Sequence, residues 1–358
     1  MAGIVISNVV KRFGDYVAIP GLSLEIRDGE FVTLLGPSGC GKTTTLRMVA
    51  GLASPNEGKI VIGGKDVTHV RPEHRRIGMV FQDYALFPHL TVGENIAFGL
   101  RERKVPAEEQ TRRVDEMLGL VRLSEYREKF SHQLSGGQRQ RVALARALAF
   151  PPAVLLMDEP LGALDLKLRQ AMQLELIRIQ RKLRITTLYV THDQEEALNL
   201  SDRIAVMDRG NIAQLGTGPE VYDRPNSPFI ADFLGRVNFL RGRVRGREGN
   251  RTIAECGSLT FPLAGIDAPV GTELRIGVRP ERMRLVRAPS SAAVCAIRGE
   301  IKSIIFAGNL VRYFVLCADD ALVMVEEQER KDTFGEGQPA WIEWEPSALM
   351  AWPETGKG

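Results

Sequence analysis

One short segment constrains this chain more than any other. It reads Gly-Pro-Ser-Gly-Cys-Gly-Lys-Thr at residues 36–43, between the apolar stretch Phe31–Leu35 and a helical pattern over residues 44–50. The glycines allow backbone N–H groups to converge on phosphate oxygens, and the following helix directs its positive end at the same point. Lys42 can then reach the β- and γ-phosphates of a nucleotide, and the Thr43 hydroxyl can ligate Mg²⁺. The segment therefore predicts a phosphate-binding loop.

A second segment supplies acidic groups. Residues 154–157 form an apolar strand pattern that runs directly into Asp158 and Glu159. Alone, such a strand is usually structural, but beside a phosphate loop it places Asp158 near the Mg²⁺. Glu159 then lies closer to the γ-phosphate, where a carboxylate can polarise an attacking water.

A third segment predicts another anion-binding helix end. Leu134 precedes Ser135, Gly136, Gly137 and Gln138, and a helical pattern follows over residues 139–149. A serine and two glycines before a helix present free N–H groups to an anion, although a simple helix cap has the same composition. A chain with one nucleotide needs no second phosphate site, unless that site serves the nucleotide of another chain.

The arrangement of these patterns predicts two domains. Strand-like and helix-like stretches alternate up to residue 235, which favours an α/β fold with a largely parallel sheet. Beyond it, apolar residues alternate with period two, as in Leu274, Ile276 and Val278. We therefore predict an α/β domain over residues 1–235, with a helical subdomain at about 83–150, and a small all-β, OB-like domain over residues 236–358.

Composition excludes several classes of protein. The 47 basic and 44 acidic side chains are nearly balanced, so no nucleic-acid partner is expected. No apolar run approaches the roughly 20 residues that span a bilayer. The four cysteines form no CxxC pair, and the first residues lack a signal-peptide pattern, so we expect a reducing, cytosolic compartment.

With these motifs in this order, the chain resembles the ATP-binding subunit of ABC transporters, of the importer type, over nearly its whole length. The resemblance implies that Gln82 contacts Mg²⁺ and the attacking water and relays to membrane subunits. It implies that Asp165, which ends the Leu-Gly-Ala-Leu-Asp segment, lies at a dimer contact, and that His192 contacts the γ-phosphate. Phe13 matches the aromatic residue that stacks on adenine, with Tyr16 as the nearby alternative.

The resemblance also implies a complete set of site residues for ATP and Mg²⁺. The predicted catalytic residues are Glu159, His192, Gln82 and Lys42. The predicted metal-binding residues are Thr43, Gln82 and Asp158. The predicted nucleotide-contacting residues are Phe13, Gly36, Pro37, Ser38, Gly39, Cys40, Gly41, Lys42, Thr43, Thr44, Gln82, Asp158, Ser135, Gly136, Gly137, Gln138 and Asp165.

The partners implied by the resemblance follow from the same family. They are a second copy of the chain in an ATP-sandwich dimer, two transmembrane permease subunits and, indirectly, an extracytoplasmic solute-binding protein. The chain would then lie peripherally on the cytoplasmic face of the inner membrane. Tyr84, Leu86 and Phe87 are candidates for an exposed apolar patch that receives a short helix of a membrane subunit. The β-domain resembles the regulatory domain of polyamine, ferric-iron and maltose importer ATPases.

The transported solute stays open at this point. Residues 229–235 and 238–240 favour a polyamine such as spermidine or putrescine, and ferric-iron or sugar import is the alternative. A different class, a soluble ABC-type ATPase acting on nucleic acid or ribosomes, is the other alternative. Chromosome-type relatives would carry a long coiled coil between Gln82 and Ser135, and no sustained heptads occur there.

Overall fold

The computed structural model describes residues 2–249, 251–257, 259–263, 266–291, 294–328 and 334–354. The chain divides into two compact units, Met1–Val221 and Tyr222–Gly358. The predicted fold class, an α/β domain followed by an all-β domain, is confirmed. The two units divide earlier in the chain than the domain boundary that we predicted at residue 235. That boundary stays a prediction.

The first unit contains ten strands and most of the helices among the described residues. Its strands are β1 (Ile4–Phe13), β2 (Tyr16–Ile26), β3 (Phe31–Leu35), β4 (Glu57–Ile62), β5 (Lys65–Asp66), β6 (Ile77–Val80), β7 (Val154–Asp158), β8 (Thr186–Thr191), β9 (Arg203–Asp208) and β10 (Asn211–Gly216). Its helices are α1 (Lys42–Ala50), α2 (Val92–Glu102), α3 (Ala107–Leu120), α4 (Gly136–Ala149), α5 (Leu166–Leu183) and α6 (Gln194–Leu200).

A six-stranded sheet positions the site. Its strand order is β10-β9-β3-β8-β7-β6, and all pairs are parallel except β9 with β10. Every residue of β3, β7 and β8 is buried, which is typical of parallel strands covered on both faces. Because parallel strands end at one edge, β3, β7 and β8 deliver the phosphate loop, Asp158 and His192 to the same side of the sheet.

Helices α2 to α4 form a layer with its own apolar core. Thr91 begins α2 and Ser135 begins α4, each in a reciprocal capping box with the residue three positions on, Glu94 and Gln138. One face of α3, which includes Val114, Met117 and Leu118, is buried in this core. Among the described residues, no helix combines the length and the apolar character needed to cross a bilayer.

A second, antiparallel sheet in this unit was not predicted. Its strand order is β2-β1-β4-β5. The long strands β1 and β2 pair through several register shifts, which interrupt the regular alternation of buried and exposed residues. The alternation of period two is therefore broken, and the sequence pattern is too weak to reveal the sheet.

The second unit is built from antiparallel strands. They are β11 (Asn238–Glu248), β12 (Arg251–Cys256), β13 (Leu259–Leu263), β14 (Glu273–Val278), β15 (Arg284–Val286), β16 (Cys295–Phe306), β17 (Val311–Cys317), β18 (Leu322–Glu327), β19 (Pro339–Trp344) and β20 (Met350–Pro353). They form two sheets, β13-β12-β11-β14-β20 and β15-β19-β16-β17-β18. The predicted alternation in β14 is confirmed, because Leu274, Ile276 and Val278 are all buried in the core of this unit.

The Pro- and Gly-rich stretch over residues 216–235 is more ordered than a joining segment. It contains two short helices, α7 (Gly218–Asp223) and α8 (Pro228–Phe233). Arg279 lies at 3.6 Å over the Tyr222 ring and donates hydrogen bonds to the carbonyls of Tyr222 and Ala231. Burial raises the pKa of Tyr222 to about 12, with its hydrogen bond to Glu281 adding to the effect. Residues 222–235 therefore pack as part of the second unit.

Candidate nucleotide site

The phosphate loop turns tightly between β3 and α1. Gly39 and Gly41 adopt φ of +81° and +104°, and a Cβ on Gly41 would lie 2.4 Å from the Ile19 side chain. A Cβ on Gly36 would lie 2.4 Å from the Met207 carbonyl oxygen. These positions require glycine, and the loop leads directly into the N-terminus of α1.

Lys42 and Cys40 lie on the inner side of the loop. The Lys42 ammonium donates hydrogen bonds to the carbonyl oxygens of Gly36 at 2.7 Å and Pro37 at 3.0 Å. Cys40 is buried, and burial raises the pKa of its thiol. Its side chain therefore packs inside the loop.

Thr43 and Asp158 come together at the carboxyl end of β7. The Thr43 hydroxyl donates a hydrogen bond to Asp158 Oδ1 at 3.1 Å. Asp158 is 8% exposed, and burial raises the pKa of its carboxyl group against the opposing effect of that hydrogen bond. The structure thus joins the two oxygen donors that the sequence assigned to a metal.

Replacing Asp158 by asparagine is expected to raise the melting temperature at pH 8. The raised pKa means that the folded chain holds the charged carboxylate at a cost, which is complete above that pKa and disappears below the unfolded value of about 3.9. The gain in melting temperature should therefore shrink as the pH falls towards 4. Each kcal/mol in the free energy of unfolding corresponds to ~2–4 °C in melting temperature. Thermal unfolding at several pH values measures it, with the exposed Asp232→Asn as control. A variant that melts below wild type at pH 8 would contradict this account.

Glu159 and His192 form a direct pair beyond the ends of β7 and β8. Glu159 Oε2 lies 3.1 Å from His192 Nδ1. The Glu159 side chain is 19% exposed and that of His192 is 60% exposed. Glu159 adopts φ of +43°, and its N–H donates to the Val190 carbonyl at 3.0 Å. A carboxylate held beside a solvent-accessible imidazole is suited to accept a proton from water.

A buried network that sequence reasoning missed supports His192. Asp193 caps α6 by accepting a hydrogen bond from the Glu196 N–H at 3.0 Å. The Glu196 carboxylate accepts bonds from the hydroxyls of Tyr189 and Thr191, and burial raises its pKa.

Arg169 is the second missed residue. It lies in the first turn of α5 and pairs with Asp193 at 2.8 Å. The same guanidinium donates to the Leu164 carbonyl at 3.1 Å, next to Asp165. Arg169 therefore joins the segment that ends at Asp165 to the segment that carries His192. A basic residue four positions after Asp165 was the available signal.

Two predicted dimer-facing segments lie at helix starts. Ser135 is exposed and caps α4, and a Cβ on Gly137 would lie 2.9 Å from the Leu168 side chain. Asp165 is exposed and caps α5 through a hydrogen bond from the Leu168 N–H at 2.9 Å. The free N–H groups at the start of α4 give it the anion-binding character predicted from its sequence.

The segment after Gln82 departs from its prediction in one respect. Gln82 is exposed, and Leu86 and Phe87 are half-buried, but Tyr84 is 7% exposed and belongs to the core beneath α2 to α4. Tyr84 as part of an exposed patch is therefore wrong. Tyr84 and Ala85 adopt φ of +62° and +47°, which turns the tyrosine ring inward. Arg146 of α4 donates hydrogen bonds to both of their carbonyls, at 2.9 and 2.6 Å.

An open cavity of about 310 Å³ collects part of the predicted set. Phe13 and Tyr16 line it and are 55% and 64% exposed. The phosphate loop and Glu159 supply the rest of the lining, which includes Ser38, Gly39, Gly41, Lys42, Thr43 and Thr44. Gln82, Asp165, His192 and the segment that begins at Ser135 do not line this cavity. The arrangement provides an aromatic edge, a phosphate cradle and a carboxylate.

Comparison with known proteins decides the family. Residues 19–162 match the ABC transporter family, and residues 276–352 match the TOBE domain. The chain is 50% identical over 340 residues to the spermidine/putrescine import ATP-binding protein PotA of Thermobifida fusca, covering 94% of this chain and 88% of the relative. The chain belongs to the ATP-binding subunits of ABC transporters. This ABC ATPase is also 47% identical over 353 residues to the protein of the same name from Acidothermus cellulolyticus, covering 96% and 92%.

Solved structures agree with this membership. The dimeric bacterial ABC transporter cassette MJ0796 shares 35% identity with the ABC ATPase described here, with a TM-score of 0.54, over 60% of this chain and 98% of that one. A second structure of MJ0796 shows a dimeric post-hydrolysis state bound to ADP and Pi, at 34% identity and the same TM-score. The predicted enzyme class, an ABC-type ATP hydrolase, is confirmed.

Proposed function

We propose that this ABC ATPase powers the import of spermidine or putrescine through separate permease subunits at the cytoplasmic face of the cell membrane. The solute assignment rests on the 50% identity to a relative named for spermidine/putrescine import, and this similarity extends over 94% of the chain. The β-domain supports the same class of importer, since residues 276–352 match the TOBE domain.

Two copies of the chain would enclose two ATP molecules. Each nucleotide lies between the phosphate loop of one copy and the start of α4, Ser135 to Gln138, of the other. The dimeric MJ0796 cassette supports this arrangement. Each of the two phosphate-binding helix ends then has a separate role. The start of α1 binds the chain's own nucleotide, and the start of α4 binds the nucleotide of the other copy. ATP favours the closed dimer because its γ-phosphate contacts both copies only when they are closed.

The roles within the site follow from its contacts. Lys42 and His192 counter the charge that develops on the γ-phosphate, together with the α4 end of the partner copy. Glu159 accepts the proton of the attacking water, and its contact with His192 fixes its orientation. Gln82 helps to position that water, and Asp165 contributes to the dimer contact.

The donor set fits Mg²⁺. Thr43 and Asp158 supply oxygen ligands 3.1 Å apart, and Gln82 follows β6, the strand beside β7. Within the part of the chain that the structure describes, no three His, Cys, Asp or Glu side chains form a metal-binding group. Mg²⁺ suits such a site, because it retains waters and takes substrate phosphates alongside one or two protein ligands. The ion would neutralise charge on the β- and γ-phosphates.

Phe13→Ala is expected to raise the KM for ATP. Loss of stacking on the adenine costs about 1–3 kcal/mol, which corresponds to roughly 5- to 150-fold. Steady-state ATPase kinetics measure the change, and Tyr16→Ala is the matched variant. Binding of inorganic tripolyphosphate, which has no base, should be the same in both variants and in wild type. A larger effect from Tyr16→Ala would transfer the stacking role to Tyr16.

A groove beside the Gln82 segment is the proposed permease contact. It has a volume of about 440 Å³ and is lined by residues of β6, α2, α4 and the segments that follow them, among them Phe81, Phe87, Phe98, Arg103, Arg146 and Phe150. The Phe87 and Phe98 rings lie 4.4 Å apart. An apolar groove of this kind suits a short helix of a membrane subunit.

Ala85→Asp is expected to weaken the contact through which the permease stimulates ATP hydrolysis. Ala85 lines the groove and is exposed at φ of +47°, a conformation that aspartate tolerates. The new carboxylate should lower solute-stimulated hydrolysis about tenfold, the equivalent of ~1.4 kcal/mol at the contact, with the ATPase of the purified chain unchanged. Ala107→Asp, in the exposed first turn of α3, is the control. Full transport by the Ala85→Asp complex would place the permease contact elsewhere.

The solute assignment has a direct test. The permease and solute-binding subunits that co-purify with the chain are reconstituted in vesicles, and ATP hydrolysis is measured with spermidine, putrescine, ferric iron and maltose. Stimulation by spermidine or putrescine is expected. Stimulation by ferric iron or maltose alone would overturn the polyamine assignment and leave an import ATPase. Hydrolysis that no solute stimulates, even in the assembled complex, would contradict the import role.

A further inference from the structure

The largest cavity described for this chain lies away from the nucleotide site, at the opposite edge of the sheet. It has a volume of about 600 Å³. Arg76, Ala153 and Ile185 line it and directly precede β6, β7 and β8, whereas Asp158 ends β7 at the other edge. The end of β4 and the start of β5, helix α3 and the last turns of α4 and α5 supply most of the remaining walls. We refer to it as the basal cavity.

The lining of the basal cavity is strongly cationic. Lys65, Arg75, Arg76 and Arg113 contribute positive charge, whereas Glu116 is the one carboxylate among its lining residues. Glu116 is already paired with Arg113 at 2.6 Å. Among the residues that the structure describes, the side chains of Lys65, His74 and Arg76 have no ion pair or hydrogen bond. The cavity therefore presents three basic side chains that no other described residue pairs with.

Arg75 adds a buried charge behind this surface. It is 4% exposed, and its guanidinium donates only to carbonyl oxygens, including those of Met48 and Val49 at 2.7 and 2.8 Å. These contacts cap the C-terminus of α1, so the residue has a structural role there. They satisfy its N–H groups and leave its charge without a carboxylate counter-ion in the described part of the chain. The resulting field favours an anion in the adjacent cavity.

The backbone at Arg76 is held in an unfavourable conformation. Arg76 adopts φ of +50°, and its carbonyl accepts a hydrogen bond from the Ala153 N–H at 2.7 Å. For a side chain other than glycine this conformation costs about 1–3 kcal/mol, and such positions concentrate at ligand sites. The contact fixes the backbone of an exposed arginine that lines the cavity and whose side chain has no ion pair or hydrogen bond among the described residues.

The rest of the lining is apolar. Side chains such as Ile62, Met117, Leu148 and Pro152 form it. A volume of about 600 Å³ lies within the range of about 300–1,000 Å³ for small-molecule sites. Inorganic phosphate would leave this apolar surface unused, whereas a neutral apolar molecule would leave the cations unpaired. We propose that the basal cavity binds an organic phosphate with an aromatic or apolar body, its phosphate on Lys65, His74 and Arg76.

A ligand bound in the basal cavity should change the affinity of the nucleotide site for ATP. The cavity is lined by the residues that lead into β6, β7 and β8, and these strands end near Gln82, Glu159 and His192. It is also lined by the C-terminal end of α4, the helix that begins after Ser135. A ligand that favours one arrangement of these elements changes ATP binding by the same free energy with which ATP changes the ligand's binding. Coupling of this kind is typically about 5- to 150-fold.

Binding can be measured with 1-naphthyl phosphate as the probe, by calorimetry on the purified full-length chain. We expect one saturable site per chain, with affinity lowered at least tenfold by Arg76→Glu and by Lys65→Glu. Arg71→Glu makes the same charge change at an exposed position outside the cavity and should alter the affinity less than twofold. The probe should also change the KM for ATP at least twofold in wild type and not in Arg76→Glu.

Four results would overturn the proposal. The first is the absence of saturable binding, and the second is equal affinity in wild type, Arg76→Glu and Lys65→Glu. The third is that inorganic phosphate binds as tightly as the probe, which would show that the organic body contributes nothing to binding. Loss of probe binding in Lys42→Ala would assign the probe to the phosphate loop instead and equally contradict the basal cavity. An unchanged KM for ATP at saturating probe would refute the coupling.

Discussion

Glu159→Gln is expected to reduce ATP turnover by a factor on the order of 10²–10⁴, the contribution typical of a positioned general base. Glutamine keeps the size of the side chain and can still contact His192, but it cannot accept a proton from water at neutral pH. ATP binding and closure of the dimer should remain, because the phosphate loop and the start of α4 are unaltered. The variant should therefore accumulate as an ATP-bound dimer.

Single-turnover hydrolysis and size-exclusion chromatography with ATP measure both parts of this result. Glu108→Gln, on the first turn of α3, is the matched control and should hydrolyse ATP at the wild-type rate. Rapid hydrolysis by Glu159→Gln would refute the role of Glu159 as the base. Loss of ATP binding would indicate instead that the carboxylate is needed to build the site.

Lys42→Ala is expected to remove ATP binding itself. Truncating one partner of a buried, hydrogen-bonded charge pair costs about 2–5 kcal/mol, which corresponds to roughly 30- to 5,000-fold in affinity. The chain should also lose stability, because Gly36 and Pro37 would lose the ammonium that donates to their carbonyls. Leaving buried acceptors without a donor costs about 1–3 kcal/mol.

Equilibrium ATP binding and thermal unfolding separate the two effects. The exposed Lys59→Ala is the control for loss of a lysine, and it should bind ATP as wild type does. Wild-type affinity in Lys42→Ala would show that the ammonium remains on the loop carbonyls and never reaches the nucleotide. Lost affinity together with an unchanged melting temperature would contradict the structural part of the argument.

The sequence predicts the parts of this molecule that depend on local chemistry. A phosphate loop needs glycines at fixed positions, and Gly36 and Gly41 occupy places where a Cβ would clash. The fully buried strands β3, β7 and β8 read as continuous apolar or β-branched runs, as expected for parallel strands covered on both faces. The cap on α4 was likewise visible as a short polar pattern.

What the sequence does not predict depends on contacts between distant segments. Arg146 holds the carbonyls after Gln82 from a helix some sixty residues away in the chain. Tyr84 was expected at the surface because an aromatic residue beside polar neighbours gives no sign of the φ that turns it inward. The basal cavity draws its lining from β4, α3 and the ends of α4 and α5, so no single stretch of sequence reveals it.

The backbone at Glu159 has a consequence for engineering. Its φ of +43° is a conformation that glycine or asparagine adopts with less strain than glutamate, whose strain costs about 1–2 kcal/mol. A procedure that selects substitutions for thermal stability alone would therefore favour replacing this residue. With the proposed role of Glu159 as the base, the resulting enzyme would be more stable and would turn over ATP far more slowly. Position 159 should be fixed before any stabilised form of the chain is designed.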